Sequence, residues 1–278
     1  MNSYTAERLA LARRIVARLA EREWLGAAMV AGSVAYDEAD SFSDVDTLLF
    51  TTRPLTLEEM EAERREAERS GGGFYAGTPE EGFALWRVEE GIRCDLSYGQ
   101  VEPTEQLIAE MIEQPSTNST TQLIIGGFQG GIPLHNPEWI DAWQQRASNY
   151  PEALARMMVE ENLRQQPCHI WRGMGAARGD RLFLNEAFLR LVDRLVGVLC
   201  GINRVWHPGK IKGLHRTVAQ FSLAPPAFES RIDALFSSTL HDAVETAVHL
   251  VEEVWTLVEQ QMPEVDVAGA RARFGQRV

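Results

Sequence analysis

The run Gly32–Phe50, GSVAYDEADSFSDVDTLLF, decides the fold of this chain. It follows a short apolar segment, Ala27–Ala31, that reads as a strand ending in a turn at Gly32-Ser33. Ten residues later Asp44-Val45-Asp46 heads a second apolar, β-rich segment, Asp44–Thr51. Side chains alternate along a strand, so Asp44 and Asp46 share one face while Val45 points into a core. Two like charges on one face repel, and the usual reason for keeping them together is a divalent cation. Mg²⁺ takes oxygen ligands, typically carboxylates together with substrate phosphates. Glycine at 32 lets a phosphate approach the backbone, where N–H groups and the Ser33 hydroxyl are able to bind it.

Working outward, a third carboxylate is expected on a neighbouring strand, and Ile92–Tyr98 supplies it as Asp95, an isolated acid in a β-like run. Three carboxylates on adjacent strands suit two metal ions that clamp the attacking and leaving oxygens of an in-line displacement. Asp95 is also placed to take a proton from an acceptor hydroxyl. Each part has a plainer reading: Asp-x-Asp occurs on exposed strand faces, Gly-Ser is a common turn, and a strand aspartate is usually solvated. The ordered combination is far more specific than any part.

The rest of the first half reads as a helix over Thr5–Trp24 and a charged, solvated helix over Leu55–Ser70 stopped by Gly71-Gly72-Gly73. A hairpin of Phe83–Val88 and Ile92–Tyr98 turns at Glu89-Glu90-Gly91, and Thr104–Glu113 is helical. Ile124–Leu134, apolar but broken by glycine, has no firm assignment. Beyond residue 151 the pattern changes. Pro151–Gln165, Arg181–Ile202 and Ala227–Gln261 carry apolar residues at helical spacing, the last as one long helix or two, and no strand pattern appears. Gly173–Gly179 lacks the dinucleotide-binding spacing and reads as a loop between helices. His169 is expected to be a packed interhelical histidine. Glu160 and Glu161 are secondary candidates for meeting a cationic acceptor. The expected fold class is α+β: a small mixed-sheet domain over residues 1–150, then an all-α helical bundle over 151–278.

Charge supports that division. The chain has 278 residues and a net charge of −13. Residues 1–150 hold 25 acids and 12 bases, whereas residues 151–278 hold 15 of each. Such acidity argues against binding bulk nucleic acid, which calls for a basic face. No stretch approaches the roughly 18 apolar residues of a membrane span. The N-terminal MNSYTAERLALARR has no signal-peptide core, and three scattered cysteines form no disulfide framework, so a cytoplasmic protein is expected. Twenty-five arginines stand against two lysines, Lys210 and Lys212, both inside HPGKIKG. A compact ammonium used only there points to a chemical choice, since the two residue types are not interchangeable.

Gly32-Ser33, Asp44-Val45-Asp46 and Asp95 together resemble the signature of the DNA polymerase beta-like nucleotidyltransferase superfamily, and Gly32–Phe50 is similar to its minimal and antibiotic-modifying members. The resemblance implies a short mixed sheet with helices, two Mg²⁺ ions, and transfer of a nucleoside monophosphate from an NTP, ATP by family habit, to a hydroxyl with release of pyrophosphate. It implies that Gly32 and Ser33 hold the triphosphate, that Asp44 and Asp46 ligate both metals, and that Asp95 ligates the catalytic metal and helps deprotonate the acceptor.

Leu199–Leu214, LCGINRVWHPGKIKGL, resembles a segment of the helical domains appended to aminoglycoside- and lincosamide-type nucleotidyltransferases, some of which confer antibiotic resistance. That likeness puts Lys210 or Lys212 on the triphosphate, with Asn203, Arg204 and Trp206 lining a cleft. It makes the helical half the acceptor-binding domain for a small hydroxyl-bearing molecule. Transfer of AMP to a protein or tRNA, as in toxin–antitoxin pairs, and a nucleotide-binding module without catalysis are the competing readings. Two departures stand out. Tyr36-Asp37 replaces a usual second glycine, leaving Asp37 to accept positive φ. Thr47 replaces a large aliphatic after the second carboxylate.

Overall fold

The computed structural model describes residues 1–276. Its elements run α1 (Ser3–Leu19), β1 (Leu25–Val30), α2 (Gly32–Ala35), β2 (Val45–Thr51), α3 (Leu57–Arg69), β3 (Gly73–Thr78), β4 (Gly82–Glu89), β5 (Ile92–Gln100), α4 (Val101–Glu113), α5 (Ser119–Gly130), β6 (Ile132–His135) and α6 (Pro137–Ala147). They continue as α7 (Glu152–Asn162), α8 (Cys168–Ile170), a π turn (Trp171–Gly175) with a 3₁₀ turn (Ala176–Arg178), α9 (Arg181–Asn203), α10 (Leu214–Val218), α11 (Phe228–Ser237), α12 (Leu240–Gln261) and α13 (Val267–Phe274). The protein is α+β. Two compact units form: Met1–Gln114 with Ile124–Asn149, and Pro115–Leu123 with Tyr150 onwards. Among the described residues, no helix is long and apolar enough to cross a membrane.

The first unit is built on a six-stranded mixed sheet of order β3-β4-β5-β2-β1-β6. All neighbours are antiparallel except β2 and β5. Alternation along β2 separates two environments. Val45, Thr47 and Leu49 are buried, and Val45 and Leu49 join Cys94, Leu96 and Leu85 in a core with apolar residues of α1 and α3. Phe50 lies on the other face, the face of Asp46, where its ring packs against Phe128 at 5.9 Å and Trp143 at 4.8 Å. The sheet is thus covered by helices beneath, and by aromatic packing at one end above.

The structure corrects some sequence expectations and resolves others that were open. The first helix ends at Leu19 rather than continuing to Trp24. Two strands, β3 and β6, arise where glycine-rich sequence hid the alternation; Ile124–Leu134 resolves into the end of α5 followed by β6. Of the segment expected as a loop, Gly173–Arg178 is π and 3₁₀ helix, and Gly179, at φ +70°, is the turn that ends it. Ala227–Gln261 is two helices, because Ser238 turns extended and the Thr239 side chain caps α12 by accepting the Asp242 N–H at 3.2 Å.

The charged helix α3 is the largest surprise. Its start is a capping box between Thr56 and Glu59. Its inner face, however, buries an acid: Glu63 is 4% exposed. Arg87 of β4 pairs with Glu63 and reaches Glu66 at 2.9 Å, and the Tyr98 hydroxyl donates to Glu63 at 2.8 Å. Burial, with the Glu63 charge behind it, drives the Tyr98 phenol well above its usual range, so it stays a donor.

The second unit has α9 at its centre. Leu195–Ile202 is buried throughout, and α7, α11, α12 and α13 contribute the surrounding core. Trp171, Phe188, Trp255 and Phe274 make edge-on contacts, and Trp255 Nε1 donates to the Leu163 carbonyl at 3.1 Å. No strand follows residue 151 among the described residues.

Replacing Arg87 by Met should destabilise the fold by about 3–5 kcal/mol, because it strands the buried Glu63 carboxylate without its counter-charge. Urea unfolding checks this; a loss below about 1 kcal/mol, the range of an exposed pair, would mean the pair is solvated.

Candidate functional site

The site forms where β2 and β5 lie parallel. Their register sets Asp46 beside Asp95, so both carboxylates project from the same face. Asp44 immediately precedes β2. One carboxylate oxygen from each of Asp44, Asp46 and Asp95 lies within 4.8 Å of the others, and all three residues are half-buried. Asp44 stands just outside the strand, so the expected strand over Asp44–Thr51 starts one residue late.

Gly32 closes one side. Its φ is +63°, a region that disfavours side chains, and a Cβ placed there would lie 2.1 Å from Asp46 Oδ2. The Ala31 N–H donates to the Asp46 carbonyl at 2.9 Å, which ties the turn to the strand. Gly32 and Ser33 begin the single helical turn α2.

The loop from Tyr36 to Ser43 is held by the first turns of α1. Asn2, Thr5 and Arg8, three residues apart, present one side of the helix to it. The Asn2 backbone and side-chain amides donate to Asp37 at 2.8 and 3.0 Å, Thr5 Oγ1 accepts the Ala39 N–H at 3.3 Å, and buried Arg8 donates to the Ser43 carbonyl at 2.7 Å. Asp40 gathers the tip, accepting from the Phe42 N–H and the Ser43 hydroxyl, both at 2.9 Å. These bonds hold the Asp37 and Asp40 carboxyls below the usual range, Asn2 contributing most to the first and Ser43 to the second. The departure at Tyr36-Asp37 now has its account. Asp37 itself adopts φ +58°, and Tyr36 lays its ring over Gly130, where any Cβ would fall 2.3 Å from the phenol oxygen. The Thr47 departure leaves a mark too: its Oγ1 is buried with no hydrogen-bond partner.

Sequence reading missed the residues that handle Asp95. Arg93 Nε donates to Asp95 Oδ1 at 3.0 Å, and the Tyr75 hydroxyl donates to the same oxygen at 3.1 Å. Arg93 also contacts the Tyr75 hydroxyl, and its guanidinium lies 4.7 Å from the Trp86 ring centre. The Asp95 carboxylate raises the Arg93 pKa, keeping the guanidinium charged, and burial raises that of the Tyr75 phenol. This cluster offsets part of the repulsion among three carboxylates. Arg93 was legible, since residues two apart on a strand share a face. Tyr75 was hidden in the unrecognised strand β3.

The HPGKIKG segment belongs to the second unit. Lys210 and Lys212 are exposed, and neither forms an ion pair among the described residues. The neighbours expected to line a cleft are otherwise employed. Asn203 binds the Leu199 and Leu223 carbonyls and the Ser222 and Leu223 N–H groups. Arg204 forks onto Glu152 at 2.7 and 2.8 Å, and Trp206, 5% exposed, packs on Tyr150. Each of the three therefore has a partner within the second unit. His169 Nδ1 meets the Gln276 carbonyl at 2.8 Å, and Glu160 pairs with Arg156 at 2.7 Å.

Comparison with known proteins adds three findings. A family described as a domain of unknown function, DUF4037, matches residues 118–212. No curated protein matches the chain. Among solved structures, a nucleotidyltransferase-like protein from Exiguobacterium sibiricum 255-15 is similar with a TM-score of 0.40 and 12% identity, covering 91% of this chain and 79% of the other.

Cys94, between Arg93 and Asp95, points to the opposite, buried face, and burial pushes its thiol up to about 12. Iodoacetamide at about pH 8 should therefore leave Cys94 unlabelled in the native protein and modify it once urea unfolds the chain. Rapid native labelling, mapped by mass spectrometry, would place Cys94 on the open face and invert the register argued for β5.

Proposed function

We propose that this chain is a nucleotidyltransferase that moves a nucleoside monophosphate from an NTP to a hydroxyl of a small acceptor and releases pyrophosphate. The observation that carries this reading is the convergence of Asp44, Asp46 and Asp95 beside a glycine whose backbone abuts Asp46. The donor set is entirely carboxylate oxygen, which suits Mg²⁺ rather than a metal that prefers nitrogen or sulfur. Two Mg²⁺ ions held there would supply Lewis-acid neutralisation of the triphosphate and of the attacking and leaving oxygens.

The chain's own residues divide the remaining work. Gly32 leaves the backbone open to phosphate, and Ser33 offers its N–H and hydroxyl. Asp95 accepts the acceptor's hydroxyl proton as that oxygen bonds to the α-phosphorus and the bond to the β-phosphate bridge breaks. Because Arg93 and Tyr75 hold Asp95 Oδ1, the Oδ2 atom is the one left for this task. One of Lys210 and Lys212 acts as a point charge on the triphosphate. ATP is the NTP of this reading and an antibiotic-like metabolite its acceptor, both resting on the likeness to aminoglycoside- and lincosamide-type enzymes. The acidity of residues 1–150 favours steering of a cationic acceptor.

Thermal unfolding with each of the four NTPs, with and without Mg²⁺, tests the reading. A ligand at a hundred times its Kd adds about 2.7 kcal/mol. Wild type should show a Mg²⁺-dependent rise in Tm with one or more NTPs, and Asp46→Asn should lose it. No rise with any NTP would overturn the proposal. With an acceptor in hand, Asp44→Asn and Asp46→Asn should each cut pyrophosphate release to below about a few per cent, since each removes a metal ligand.

A further inference from the structure

In the second unit, helix α9 and the irregular strap of residues 163–167 enclose a cavity of about 340 Å³. Trp171 and Leu191 are buried in its wall, and half-buried Phe183 and Ala187 continue the apolar lining. The α9 residues at 183, 187, 190, 191 and 194 share one side of the helix, as helical spacing requires.

Side chains hold the strap in place. Trp255 Nε1 donates to the Leu163 carbonyl at 3.1 Å, Gln165 Nε2 donates to the Asn162 carbonyl at 3.1 Å, and Arg194 Nη1 donates to the Arg164 carbonyl. Trp171 is the first residue of the π turn, a rare backbone form that is frequent at functional sites. Its Nε1 donates to Gln166 Oε1 at 2.9 Å, which fixes the indole against the strap.

Charge around the cavity is uneven. Glu186 is paired with Arg190. Arg194 has no carboxylate partner among the described residues, and its bond through Nη1 leaves the Nε–Nη2 edge uncommitted. That edge is the one with which Arg172 grips Glu245 and Arg204 grips Glu152. It matches the two oxygens of a carboxylate.

We propose that this cavity binds a small carboxylate with an apolar body, an aryl or short acyl acid. Its carboxylate takes the Nε–Nη2 edge of Arg194, and its body lies against Trp171, Phe183 and Ala187. A volume of about 340 Å³ falls at the lower end of small-molecule sites, which combine apolar walls with a few placed polar groups. One uncompensated guanidinium suits a single negative charge. None of these residues belongs to the carboxylate site of the first unit, so this inference stands or falls apart from nucleotidyl transfer.

Ligands with one body and different heads test it: 3-phenylpropanoate, 3-phenylpropylamine and 3-phenylpropan-1-ol, with octanoate as the acyl counterpart. Each is titrated into the full chain at about pH 7.5, where both acids are ionised. The readout is the indole N–H signal of Trp171 in proton–nitrogen NMR spectra, assigned by its absence from Trp171→Phe. At least one carboxylate should move that signal saturably, with a Kd of about a millimolar or below for ligands of this size. The amine and the alcohol should bind at least about tenfold more weakly, since neither engages the fork. Arg194→Gln should weaken carboxylate binding about tenfold, whereas Arg178→Gln, an exposed arginine outside the cavity, should leave it unchanged. Ala187→Phe, which fills the cavity, should abolish it.

The absence of a saturable shift with both carboxylates, equal affinity for the amine or the alcohol, or undiminished binding by Arg194→Gln overturns the proposal. Should Ala187→Phe not fold, the comparison of head groups and of Arg194→Gln with wild type decides alone.

Discussion

Parallel pairing of β2 with β5 is the constraint on which the rest of the first unit depends. It puts Asp46 and Asp95 side by side on one face and Val45 and Cys94 on the other. The buried face ties the sheet to α1 and α3 through apolar contact. The open face must then hold carboxylates at a separation where they repel. Slipping the register by one residue would bury the acids and expose the apolar set, so the hydrophobic pattern itself enforces the geometry of the site. Stability and chemistry are fixed here by one alignment.

The surrounding structure reads as a response to that charge. Arg93, steadied on Trp86 and Tyr75, supplies a cation from within the same strand. Gly32 lets the β1–α2 turn touch Asp46 without a side chain between them. Arg8 reaches from α1 to the carbonyl of the residue preceding Asp44. Each fixes a carboxylate by a different means: a charge partner, a steric allowance and a backbone tether. Preorganisation of this kind lowers the cost of holding the three acids together.

Much of this was legible in the sequence, and the reasons for the remainder are local. Asp46 and Asp95 were readable because strand alternation is a strict period of two, which turns sequence spacing into facing; Asp44, one residue before β2, lies near them without being in the strand. The hairpin at Glu90-Gly91 was readable from its turn residues. Strand β3 was not, since Gly71–Gly73 and Gly77 dilute the alternation, and with it went Tyr75. Helix α3 looked solvated because its composition is charged; burial of Glu63 depends on Arg87 in a different element, which no local pattern reveals. In the second half, composition predicted helices, yet the internal partners of Asn203, Arg204 and Trp206 were not legible. Polar and aromatic residues near a motif resemble ligand contacts in sequence, and only the partners in space show that they brace the loops.

Arginine and lysine usage sharpens the same point. Arg53, Arg172, Arg204, Arg231 and Arg271 each grip carboxylates with two or more guanidinium nitrogens, and four of the five link separate elements. A planar fork suits that task, because both bonds form only in one relative orientation and so fix the angle between elements as well as their distance. Lys210 and Lys212 have no such fixed partner among the described residues and sit on the exposed loop that His207 and Gln122 secure. An ammonium on a flexible stem is a poor brace, since nothing in its geometry fixes the angle to a partner. The chain thus assigns its rigid cation to architecture and keeps its adaptable one where the backbone, rather than the side chain, is held in place.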